Sequence, residues 1–67
     1  MNKEITTHEL ADALLELGKK KHGNDMKYAF AYGSLQGLFE AARWGFTPIQ
    51  KIVNDKYAEV QKDLAAQ

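Results

Sequence analysis

The stretch Met26-Lys-Tyr-Ala-Phe-Ala-Tyr-Gly-Ser-Leu-Gln-Gly-Leu-Phe-Glu-Ala-Ala-Arg-Trp44 decides the fold. Its apolar residues recur at helical spacing, and one face is small at every fourth position: Ala29, Gly33, Gly37 and Ala41. Two glycines in a helix interior cost roughly 1 kcal/mol each relative to alanine. A helix that keeps them commonly brings its backbone close to another helix. The stretch therefore speaks of packing or association, and not of a reaction.

Setting successive residues about 100° apart gives this helix two apolar faces. One carries Tyr28, Ala31, Tyr32, Leu35, Leu38, Phe39 and Ala42. The other carries the small ladder, with Met26, Phe30 and Trp44 close by. Narrow polar strips separate them, Gln36, Glu40 and Arg43 on one side and Lys27 and Ser34 on the other. A helix touching both neighbours in a compact three-helix bundle needs one broad stripe, because those neighbours lie on the same side. Two faces nearly opposed call for a further partner. The expectation is a helix–helix contact with a second copy, a dimer, through Ala29, Phe30, Gly33, Gly37, Ala41 and Trp44. Two-fold dimers make one such face self-complementary. Tyr28 and Tyr32 are expected on the core side, with their hydroxyls at its edge.

Working outward, Thr6 and Glu9 form a capping-box pair, and Ile5 with Leu10 forms the accompanying hydrophobic staple. Leu10, Ala13, Leu14 and Leu17 follow as a helical stripe. The positive run Lys19-Lys20-Lys21-His22 sits where a helix C-terminus favours cations, and Gly23 suits a left-handed cap. Asn24 and Asp25 read as turn and cap residues before the second helix, with Gly45 as its stop. Thr47-Pro48-Ile49-Gln50 announces a third start: Thr47 as cap, Pro48 at the first position, Gln50 closing a second box. Ile49, Ile52, Val53, Tyr57, Val60 and Leu64 form its apolar stripe, within which Lys56 snorkels. The prediction is all-α: three helices at about 6–22, 25–44 and 47–66, in antiparallel hairpins within a single domain, 1–67, assembled as a helical-bundle oligomer. The short connections, Gly23-Asn24 and Gly45-Phe46, favour antiparallel neighbours.

Sixty-seven residues fall below the size at which one core comfortably stabilises a fold. There is no cysteine, so disulfides and thiolate zinc sites are excluded and oligomerisation or regular helix packing must compensate. Nine basic and nine acidic side chains leave no net charge, unlike a nucleic-acid-binding domain. The first residues, Met1-Asn-Lys-Glu-Ile-Thr-Thr, lack the apolar run of a signal peptide. Lys27, Gln36, Glu40 and Arg43 argue against a membrane span in the apolar stretch. The expected setting is the cytoplasm.

Catalytic chemistry is sparse. One serine, Ser34, lies inside a helix, and His8 and His22 are far apart, so no nucleophile–base pair stands out. His8-Glu9-Leu-Ala-Asp12 starts like a zinc helix motif but has Asp12 where a second histidine belongs. No enzyme activity, metal or cofactor is expected. Glu40 and Arg43, three apart, suit a surface ion pair. The rival reading is a helix-turn-helix over Leu38–Ile52, in which Gln50, Lys51 and Asn54 of the third helix would contact DNA. Against it, Ile52 and Val53 are out of step with that motif's spacing, and Asp55, Glu59 and Asp63 would oppose phosphates.

The segment Tyr28-Ala-Phe-Ala-Tyr-Gly-Ser-Leu-Gln-Gly-Leu-Phe-Glu-Ala41 resembles helices of small tailed-phage proteins that carry Tyr-Ala-Tyr-Gly-x-Leu. The resemblance implies a viral accessory protein in the host cytoplasm, acting by binding another macromolecule. It supplies no catalytic residues.

Overall fold

A computed structural model describes residues 4–45 and 47–66. The expectations resting on Met1–Lys3 and on Phe46 lie outside the described residues. Three helices are present, α1 (Thr7–His22), α2 (Lys27–Gly45) and α3 (Ile49–Ala66), with no strand among the described residues.

The start of α1 follows its local code. Thr6 Oγ1 accepts from the Glu9 amide at 3.0 Å, and the Thr6 amide donates to Glu9 Oε1 at 3.2 Å. These bonds satisfy backbone donors that the first helical turn leaves without partners. Ile5 packs on the core cluster to which the fully buried Leu10 belongs. At the other end the Gly23 amide donates to the Lys19 carbonyl at 2.9 Å, with φ 92° and ψ 168°. The positive φ needs glycine, but the conformation is extended instead of left-handed helical. The chain thus leaves α1 directly into a turn closed by the Met26 amide on the Gly23 carbonyl, 3.2 Å. Asn24 and Asp25 are used in that turn, and α2 begins two residues later than its sequence suggests. Its first bond runs from the Phe30 amide to the Met26 carbonyl, 3.0 Å.

At α3 the expected Thr47–Gln50 box gives way to other bonds. The Thr47 hydroxyl donates back to the Gly45 carbonyl at 3.5 Å, and the Pro48 carbonyl accepts the first bonds of the helix. Gln50 Nε2 reaches the Ile5 carbonyl at 2.7 Å and Asn54 Oδ1 at 2.9 Å. Asn54 Oδ1 also accepts from the Ile5 amide at 3.3 Å. Both polar backbone groups of Ile5 are therefore held by α3, tying the strand-like lead-in of α1 to the first turns of the third helix.

That tie places the start of α1 beside the start of α3, while the last turns of α1 meet the first turn of α2. The order is up, down, up. Helix α1 is the central element: it packs on both others, which touch each other least. It contributes half of the core, Leu10, Ala13, Leu14 and Leu17, against Ala31 and Leu38 from α2 and Val53 and Val60 from α3. Fully burying each such leucine is worth about 1.5–3 kcal/mol.

Candidate functional site

The orientation of α2 about its own axis defines what the molecule presents. The side of α2 turned to the core carries Lys27, Ala31, Ser34, Leu38 and Ala42, all buried or half-buried. This line runs beneath the polar strip of Lys27 and Ser34, between the two apolar faces, and uses only an edge of each. The reason is steric. The leucines of α1 are large, and they pack best against a helix that offers alanine and serine.

One consequence corrects the expectation for the tyrosines. Tyr28 and Tyr32 are 64% and 71% exposed, so they are surface aromatics and not core ones. Tyr28 has Lys27 Nζ 5.1 Å from its ring centroid. Phe39 is also exposed, and Leu35 is half-buried beside it.

The other consequence concerns the small ladder. Ala29, Gly33, Gly37 and Ala41 are all exposed, and a Cβ placed on Gly33 or Gly37 would meet nothing within 4 Å. Among the described residues nothing comes within 4 Å of a side chain placed at either glycine. The close approach within the fold occurs instead at Gly18 of α1, a residue the sequence reading passed over. A Cβ there would lie 2.9 Å from Phe30 Cδ2 and 3.2 Å from both the Cα and the carbonyl oxygen of Lys27. The signal was present in the spacing Leu10, Leu14, Gly18, which continues the buried stripe of α1.

Phe30 accordingly belongs to the fold. It is half-buried against Gly18 and stacks on His22, with ring centroids 5.2 Å apart and planes tilted by 41°. Trp44 remains outside, 71% exposed, but it is held in place. Its Nε1 donates to Glu40 Oε2 at 2.9 Å, and the Arg43 guanidinium lies 5.5 Å from its ring centroid. Glu40 and Arg43 thus brace Trp44 from opposite polar roles in place of the direct ion pair expected between them.

Two concavities flank this face. Between α2 and α3 an open groove of about 460 Å³ has Gly33, Gly37, Leu38 and Ile52 along it and Asp55, Lys56 and Glu59 on its far wall. Lys56 Nζ lies 3.4 Å from Glu59, its stem half-buried as a snorkelling lysine requires. At the N-terminal end of α2, a cleft of about 260 Å³ is lined by His22, Met26, Ala29 and Phe30. Met26, Ala29 and Phe30 share this face by their helical spacing, and the geometry gathers them with His22.

The three residues named for DNA contact have tasks inside the chain. Gln50 and Asn54 clamp Ile5, and Lys51 Nζ bonds Asp55 at 2.8 Å. Among the described residues no three His, Asp or Glu side chains are grouped as a metal site, and no helix is long and apolar enough to cross a membrane. No family model matches this chain, and neither a curated protein nor a solved structure matches it.

Proposed function

We propose that this chain is a non-enzymatic protein-interaction module that pairs with a second copy of itself through the glycine-bearing side of α2. The observation that carries the reading is the open space over Gly33 and Gly37. The fold spends its own close helix contact at Gly18, and among the described residues no neighbour presses on the glycines of α2. Their helix-propensity cost, roughly 1 kcal/mol each, is offset once another backbone packs there. Exposed Met26 and Trp44, at the two ends of the glycine side, add apolar surface of the kind that marks interaction sites. A contact between copies would also enlarge a core that is small for an independent domain. An accessory role in binding or occluding another macromolecule, as in the tailed-phage proteins that Tyr28–Ala41 resembles, is compatible with such a module.

Sedimentation of Gly33→Leu and Gly37→Leu variants tests the reading. Both positions have room for a side chain in the single copy, so the variants are expected to keep full helicity. They should sediment as one chain at concentrations where the unmodified protein sediments as two. Variants that retain the two-chain mass would remove the glycine face from the contact. Salt-sensitive binding of random duplex DNA would favour the helix-turn-helix alternative, whose Gln50 and Asn54 would first have to leave Ile5.

A further inference from the structure

We infer that the two copies meet antiparallel along α2, with Trp44 of each seated in the cleft formed by His22, Met26, Ala29 and Phe30 of the other. This rests on the self-association proposed above and specifies its direction and its anchor. Three observations carry it.

The first is the anchor and its receptacle. Trp44 is the chain's one tryptophan, 71% exposed yet fixed by Glu40 and Arg43. An exposed aromatic that is already ordered loses little side-chain freedom on binding, which is the property of an interface anchor. The cleft at the opposite end of the same helix is lined by a thioether and two rings, and methionine sulfur and aromatic edges suit an indole.

The second is the spacing. Met26 and Trp44, Ala29 and Ala41, and Gly33 and Gly37 are placed symmetrically about Leu35. In an antiparallel pair centred there, each member of a couple lies opposite the other, so Trp44 arrives at Met26 while glycine faces glycine. A parallel pair would instead oppose Trp44 to Trp44 and leave both clefts unfilled.

The third is charge. Lys19, Lys20, Lys21 and Lys27 cluster where α1 ends and α2 begins, none is in an ion pair among the described residues, and Asp25 is the one acid in the turn between them. Parallel copies would bring two such clusters side by side. Antiparallel copies keep them at opposite ends, each near the C-terminal end of the partner's α2, where the helix dipole is negative.

The test uses the absence of cysteine, which makes any introduced thiol unique. A spin label on Asn24→Cys, an exposed turn position that does not line the cleft, reports the separation of the two N-terminal ends. At about 1.5 Å per helical residue the antiparallel pair places the labels roughly 30 Å apart, and a parallel pair places them within about 20 Å. In the unmodified protein Trp44 emission should shift to the blue as the two-chain mass forms. Trp44→Ala should weaken pairing at least tenfold with helicity unchanged. Labels close together, or a Trp44→Ala variant that pairs like the parent, overturn this arrangement while leaving self-association standing. A one-chain mass at every concentration overturns both.

Discussion

Gly18 and the Gly33–Gly37 pair are all helical glycines within one hairpin, yet their surroundings are opposite. Gly18 is buried, with the side chain of Phe30 and the backbone of Lys27 pressed against it. Gly33 and Gly37 face open space. A missing side chain at Gly18 is explained by neighbours nine and twelve residues along the same chain. The same economy at Gly33 and Gly37 has no such explanation in one copy, and this contrast is the ground for assigning the α2 face to a partner.

The contrast breaks first at Gly18. Gly18→Leu must displace Phe30 and the first turn of α2, and overpacking of this kind costs about 1–3 kcal/mol. Urea unfolding of the dilute protein should show a loss in that range, and an unchanged midpoint would mean that α1 and α2 are not closely apposed there. At the other end of α1, Gln50→Ala removes one of the two bonds that hold Ile5. A bond of this sort contributes about 0.5–1.5 kcal/mol, so unfolding and proteolysis at the N-terminal lead-in should both become easier. A variant as stable as the parent would show that the clamp adds nothing to the docking of α1 on α3.

At Gly33 and Gly37 the sign reverses. Gly33→Ala and Gly37→Ala should each stabilise the dilute single chain by about 0.5–1 kcal/mol, because nothing opposes the new methyl and alanine is the better helix former. Destabilisation at either site would place a hidden contact within the chain. The smallest effect is expected for Glu40→Gln, which alters an exposed bond to Trp44 and should change single-chain stability by no more than about 0.5 kcal/mol. Its larger consequence should be in concentrated protein, where a less firmly held Trp44 pairs more weakly.

Features coded by neighbouring residues were legible in the sequence. The Thr6–Glu9 box and the stripe Leu10, Ala13, Leu14, Leu17 depend on residues within one or two turns, and the structure has both, with Ile5 packed on the same core. The rotation of α2 was not legible, because a helix with two apolar faces does not state which edge of either meets the core. Packing on α1 settles it: Ala31 and Leu38 join its leucines in the core, and Tyr28 and Tyr32 stay outside. The second capping box failed for a related reason. Gln50 has a partner in Ile5, 45 positions away, that no local pattern contains. Of the candidate face, the exposure of the ladder and of Trp44 follows from the helical spacing, whereas the packing of Phe30 against Gly18 and His22 has no local signal.

The central claim is that a second copy covers the glycine face of α2. Sedimentation equilibrium of the unmodified chain over a wide concentration range, with Trp44 emission recorded on the same samples, tests it most directly. The account predicts a transition from the 7.6 kDa chain to twice that mass, accompanied by a blue shift of the single tryptophan. A mass that stays at one chain up to millimolar concentration, with Trp44 emission unchanged, would contradict it.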